Sequence, residues 1–267
     1  MSLPNDDAPK AQRAVQSIEV GGQLLLALAA SRQPMLLKDL AAQAGLPSAR
    51  AHPYLVSYGR LGLVRQNNAD GRYALGPAAL QLGLTALHQL DAMQVATPVA
   101  DALAANTAQA VAIAVWGNLG ATVVRMSDAK QPLHVAMRVG TVMATFGTAT
   151  GRAFAGVLRA EQVVDAMTGE TLGSEGTTKP IRIAEIEGPL SAARAELKQH
   201  GCTRAVGSPL PGVNAFSAPV FNHDGAPSLV LTLFGHHDLV PGSWASPMAV
   251  AVKRAAAQIS AQLGYRS

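Results

Sequence analysis

Two groups of side chains in this sequence could do chemistry, and they predict different things. The first holds nucleophiles and metal ligands. His236, His237 and Asp238 are consecutive, and His200 stands two residues before Cys202. Successive side chains of an extended strand point to opposite faces, so the histidine pair is not expected to chelate one ion. The HExxH helix repeat, the GxSxG nucleophile turn, the GxxxxGK phosphate loop and GxGxxG are all absent. Cys202 is the only cysteine, which excludes an internal disulfide and any CxxC-based zinc site. Beside His200 it lacks a third group to orient the base. These residues predict no catalytic centre, no metal site and no cofactor. A small-molecule hydrolase using Cys202 is the enzymatic alternative.

The second group is basic and lies near the amino terminus. Between Lys10 and Gly76 the eight bases are Lys10, Arg13, Arg32, Lys38, Arg50, Arg60, Arg65 and Arg72. The three acids there are Glu19, Asp39 and Asp70, a surplus of five positive charges. From Pro77 onward thirteen bases face twelve acids. A basic module on a near-neutral body is what a binder of the phosphate backbone would show.

The elements that must position these residues follow from pattern. The 267 residues are 49% hydrophobic, 14% charged and 4% aromatic. That is ample core material, too apolar for a disordered chain. It offers few rings for stacking single-stranded nucleic acid. The start, MSLPNDDAPK, has no apolar core and is not expected to be a signal peptide. Apolar runs such as Leu24–Ala30 fall far short of the ~20 residues of a membrane span. The expected setting is cytoplasmic, with no membrane partner.

Residues 1–10 are expected to form a disordered leader. Helical spacing follows over 14–30, and again over LLKDLAAQAG, which stops at Gly45. Ser48 is a candidate N-cap for a third helix running towards Leu61. The runs LVRQ and YAL, around NNADGR, read as a β-hairpin. Residues 11–76 thus spell three helices and a wing, a winged helix-turn-helix in which the third helix enters the major groove. Pro77 opens a helix over 77–90 that keeps Leu80, Leu84 and Leu87 on one face. Residues 91–267 alternate differently. Strands are expected at AVAIAVWG, ATVVRMS, PLHVAM, CTRAV, VNAFSAPVF and SLVLTLFG, and a last helix at Ser246–Leu263. The mixture predicts an α+β domain with a largely antiparallel sheet.

At this level the sequence resembles the IclR family of bacterial transcriptional regulators. KAQRAVQSI, DLAAQAGLPSARAHPYL, GRYALGPAALQLG, GTATGRAFAG and GVNAFSAPVFNHDGAP occur in order with compatible spacing. The resemblance implies a winged helix-turn-helix, a linker helix and a GAF-like effector-binding domain. It also implies a homodimer or dimer of dimers that binds operator DNA and responds to small organic or aromatic acids. Carried over residue by residue, it places Ser48, Arg50, His52, Tyr54 and Ser57 near the major groove. Arg13 and Lys38 would sit on phosphates, and Arg72 on phosphate or the minor groove.

The chain departs from the family at Pro53, where the third helix usually carries arginine. A proline inside a helix loses a hydrogen bond and clashes with the carbonyl four residues back, about 3 kcal/mol. The expectation is a third helix that starts or is distorted near His52, with Arg50 and His52 on the preceding turn. The corresponding alternative is a regulator-like ligand-binding protein with weakened DNA contact.

For the effector pocket, MRVGTVMATFGTATG resembles the stretch that closes one side, and VNAFSAPV and LTLFG the strands of the floor. The polar floor positions of the family fall on Thr232, Phe234 and Ala215, and an acidic position falls near Ala205 or Val206. The depleted polarity implies an aromatic or acyl-bearing ligand rather than a very small keto acid. The expected contacts are Trp116, His134, Met137, Met143, Thr145, Thr148, Asn214, Ala215, Phe216, Thr232 and Phe234.

Overall fold

The computed structural model describes residues 14–31, 33–128, 137–172 and 181–266, and of 87–89 and 169–172 the backbone alone. The expected leader 1–10, Arg13, His134 and most of PLHVAM lie outside the described residues. The chain divides into two compact units, Met1–Leu90 and Asp91–Ser267.

The first unit is built from α1 (Gln16–Ser31), α2 (Leu37–Gln43), α3 (Ser48–Arg60), β1 (Val64–Gln66), β2 (Tyr73–Leu75) and α4 (Pro77–Gln89). Its core joins Leu24 and Leu28 of α1, Leu40 and Ala41 of α2, Ala51 and Leu55 of α3, and Val64 and Tyr73 of the wing. The turn after α2 depends on Gly45, whose φ of +68° is left-handed. Leu46 N–H then reaches back to Ala41 O at 2.8 Å, closing the helix end. β1 and β2 pair antiparallel with Arg65 opposite Ala74. Met35 bridges to Tyr73 and fastens the wing to the α2 side.

The third helix corrects two expectations. It runs unbroken from Ser48 to Arg60 with Pro53 inside it, so Arg50 and His52 are helical rather than on a preceding turn. Its N-cap is Pro47, not Ser48. Pro47 is extended (ψ 142°), and its carbonyl accepts from Arg50 N and Ala51 N, both at 3.0 Å. Two features let the helix carry Pro53. Ala51 and Leu55 are fully buried on the opposite side and hold the helix to the core. Ala49 and Pro53 are exposed, so water can take the freed Ala49 carbonyl.

The second unit is an antiparallel six-stranded sheet in the order β5-β4-β3-β8-β7-β6. The strands are β3 (Ala110–Gly117), β4 (Gly120–Ser127), β5 (Val142–Met143), β6 (Thr203–Val206), β7 (Val213–Phe221) and β8 (Pro227–His236). Strand alternation sorts their side chains by parity. Val111, Ile113, Phe216, Ala218, Val220, Leu229, Leu231 and Leu233 pack against α5 (Ala92–Thr107) and α9 (Pro247–Gln262). The other face carries Ala114 and Val230 against α6 (Ala149–Ala155), α7 (Ala160–Leu172) and α8 (Ile183–His200). The expected α+β class and antiparallel sheet are what the chain adopts. The described third strand of the β3-β4 side is Val142–Met143, which the sequence reading did not single out.

Candidate nucleic-acid interface and ligand cavity

On α3 the buried face is set by Ala51 and Leu55, with half-buried Tyr54 and Tyr58 beside them. At about 100° per residue, the outermost ridge is then Ala49, Pro53, Val56 and Arg60, all exposed. Arg50 and Ser57 flank it on one side and His52 on the other, and all three are exposed. Ser57 Oγ donates to Pro53 O at 3.0 Å, so the hydroxyl is partly engaged by its own helix. Tyr54 turns inward, near where a side chain on Gly21 would have to stand. Tyr58 sits there too, and burial pushes its phenol upward. Ser48 is half-buried on the first turn.

Lys38 is exposed on the first turn of α2. The wing forms a shallow concavity that includes Pro34, Arg65, Asn67, Asn68 and Arg72. Arg72 Nη1 donates to Pro34 O at 3.1 Å, and its Nε lies 3.8 Å from Asp70. The wing arginine is thereby held beside the loop before α2 rather than swinging free. Arg60 on α3 and Arg65 on the wing, which sequence reasoning counted as charge but did not assign, are exposed as Arg50 is. Helical phase alone would have selected Arg60 and set Tyr54 aside.

In the second unit a cavity opens on the sheet face opposite α5 and α9. Its walls include Met137, Met143, Thr148, Thr150, Ala215, Thr232 and Phe234. The rim is the segment Ser208, Pro209, Leu210 and Val213. Its volume is about 60 Å³. An engineered apolar cavity of about 150 Å³ takes benzene, so a ring could enter only if rim side chains moved. The lining is almost wholly apolar, and behind it the hydroxyls of Thr150 and Thr232 join a buried cluster with Ser217. Thr232 Oγ1 lies 2.8 Å from Ser217 Oγ and 2.9 Å from Thr150 Oγ1, with all three residues buried. Thr148 Oγ1 is spent as the N-cap of α6, accepting from Gly151 N at 3.0 Å. Arg152 locks the same helix in place. Its Nε pairs with Glu196 at 3.0 Å, and its other nitrogens donate to Phe146 O and Arg204 O.

Of the expected contacts, Met137, Met143, Thr148, Ala215, Thr232 and Phe234 therefore surround one cavity. Four others do not. Phe216 has the opposite parity, opposite Leu233 in the register, and meets Trp244 edge-on at 6.3 Å in the α5–α9 core. Asn214 shares that parity and is consumed by loops, accepting from Gly207 N and donating to Val240 O. Trp116 packs on Phe154 at 5.4 Å. Thr145 is buried with an unpaired hydroxyl outside the cavity wall. Thr150 and the 208–210 rim were not foreseen. Thr150 stands two residues after the N-cap, a spacing that could have suggested it.

Cys202 is buried, and desolvation pushes its thiol up to about 11. His200 stacks on Trp244 at 3.9 Å, and the guanidinium of Arg204 lies 4.3 Å from the centre of the same ring. The cysteine is thus protonated and enclosed, which is the opposite of an activated nucleophile. Among the described residues no helix is long and apolar enough to cross a membrane.

Comparison with known proteins gives a consistent result. Residues 84–261 match the family described as bacterial transcriptional regulator IclR C-terminal, and residues 17–68 match the IclR helix-turn-helix domain. The chain is 30% identical over 263 residues to the glycerol operon regulatory protein of Streptomyces griseus, covering 94% of this chain and 98% of that protein. It is 24% identical over 255 residues to the HTH-type transcriptional regulator KipR of Bacillus subtilis, covering 92% and 96%. The crystal structure of Pseudomonas aeruginosa HmgR superposes with a TM-score of 0.84 at 30% identity, covering 95% of this chain and all of that one.

Proposed function

Since the chain belongs to the IclR family of bacterial transcriptional regulators and carries its helix-turn-helix domain, we propose that it is a cytoplasmic, ligand-responsive repressor or activator. It binds operator DNA as a homodimer or dimer of dimers. In this reading residues 11–76 grip DNA, 77–90 link, and 91–267 sense a small organic acid. The observation that carries it is the exposed outer face of α3 with Arg50, His52, Ser57 and Arg60, beside a wing holding Arg65 and Arg72. The helix supplies base-edge contacts, while Lys38, Arg13 and the wing supply phosphate contacts. The unbroken course of α3 through Pro53 weighs against the weakened-contact alternative. The hydrolase alternative loses its nucleophile, because Cys202 is buried and protonated.

Dimerisation is supported by large apolar side chains that stand exposed in the first unit. Leu80, Leu82 and Leu84 of α4 and Ile18 and Leu26 of α1 are all exposed. Two-fold pairing along the Leu80 and Leu84 face of α4 would bury those two and match the two half-sites of a palindromic operator. Effector sensing is supported by an apolar cavity whose wall includes Thr150 and Thr232. Ligand would act by favouring one dimer geometry over another. We infer a mainly apolar ligand, aromatic or acyl-bearing, whose entry displaces Met137, Met143 or Leu210.

The test is DNA selected from a genomic fragment library by the full-length protein. Specific duplex binding that falls steeply with salt, and at least tenfold on Arg50→Ala, supports the reading. Binding of no fragment above a random duplex would refute it. A thermal-shift screen of aromatic and short-chain carboxylates tests the cavity, with Phe234→Trp expected to abolish any shift by filling it.

A further inference from the structure

We propose that His236, His237 and Asp238 form a binding site for one divalent transition-metal ion, of the Zn²⁺ or Ni²⁺ kind, at the rim of the ligand cavity. The strand argument that separates adjacent histidines fails here because β8 ends at His236. The chain turns at once, with Leu239 N and Val240 N both donating to His236 O at 2.9 Å. The two imidazoles consequently come to the same side, their centres 4.3 Å apart and their planes inclined by 35°. Their Nδ1 atoms converge on the two oxygens of one carboxylate. His236 Nδ1 is 3.3 Å from Asp238 Oδ2, and His237 Nδ1 is 3.1 Å from Asp238 Oδ1. One ligand atom from each residue can be chosen so that all three lie within 4.8 Å of one another.

Those spacings suit a metal. Zinc–nitrogen and zinc–oxygen bonds near 2.1 Å place neighbouring ligand atoms of a tetrahedron about 3.4 Å apart. Two imidazoles and a carboxylate are a borderline nitrogen–oxygen set that takes zinc, nickel or copper, not the all-oxygen shell preferred by magnesium. All three side chains are exposed, so an ion has access and water can complete the shell.

The position gives the site a consequence. His236 is opposite Val213 in the β7–β8 register, and His237 N donates to Gly212 O at 2.9 Å. The segment 207–213 that they hold carries Ser208, Pro209, Leu210 and Val213 of the cavity rim. A bound ion would fix the 236–238 turn, and with it the end of β8 to which segment 207–213 is held, so the mobility of that rim would become metal-dependent.

The experiment uses tag-free, chelator-stripped full-length protein with the metal alone. Calorimetric titration with Zn²⁺ should show one saturable site per chain and no site for Mg²⁺. His237→Ala and Asp238→Asn should each weaken zinc at least tenfold, while His223→Ala, outside the cluster, should leave it unchanged. Zinc should also slow amide hydrogen exchange across 207–213. No saturable zinc binding, or binding unchanged in both cluster variants, overturns the site. Binding without slower exchange at 207–213 overturns the effect on the rim. Neither result depends on DNA or effector binding, so failure here is separable from failure of the regulator reading.

Discussion

Single residues decide what the second unit can do. Cys202 has a thiol pushed above the ordinary value of 9.0 to about 11 by burial. A thiol whose folded pKa is raised favours the fold while protonated. Its contribution is therefore complete below about pH 9 and is lost as pH rises through 11. At pH 8 the native thiol should react with a disulfide reagent orders of magnitude more slowly than in denaturant; equal rates would contradict the burial argument. Thr232 sits between Thr150 and Ser217 in the buried hydroxyl cluster. Thr232→Val keeps the shape but leaves Thr150 and Ser217 only their longer mutual contact of 3.5 Å, so chemical denaturation should show a loss of about 1–3 kcal/mol. Phe216 and Thr232 also mark the limit of residue-level reading. Both stand in recognisable strands, yet only the parity of each strand says which face it serves. That parity was available from Thr232 and Phe234 alone. The hydroxyl trio was not, because it joins α6 to a hairpin that lies far from it in sequence.

Elements were more legible than their contacts. Periodicity, the Asn/Asp/Gly turn and Gly45 were enough to foresee three helices and a wing before Pro77, since each is a local signal. Pro53 misled because its penalty is local while its remedy is tertiary. The burial of Ala51 and Leu55 holds α3 across the missing hydrogen bond. That argument predicts a measurable residue of strain. Pro53→Ala should stabilise α3 by about 1–2 kcal/mol, the helix penalty less the entropy that proline removes from the unfolded chain. Hydrogen exchange across Ala51–Leu55 should slow correspondingly. Faster exchange would mean that the proline is structurally required. The same contrast between local and tertiary signals explains β8. Its strand pattern was plain, but the turn that gathers His236, His237 and Asp238 depends on where the strand stops.

At the scale of the whole molecule, the proposed reading assigns DNA to the exposed helix face and wing of the first unit and ligand to the cavity on the sheet of the second. In the proposed dimer the exposed leucines of α4 would form the contact. Leu80→Lys with Leu84→Lys should shift the protein towards monomer in light scattering, with its circular dichroism unchanged. It should also lower DNA affinity by more than tenfold through loss of the second half-site. The most direct measurement is the salt dependence of binding to a selected operator fragment, compared with a scrambled duplex. The account predicts a clear preference for the operator and a log–log slope of several phosphates. It also predicts that Arg50→Ala erodes the preference, whereas Arg72→Ala weakens both duplexes and flattens the slope by about one. Equal binding to both sequences, with no change in either variant, would contradict it.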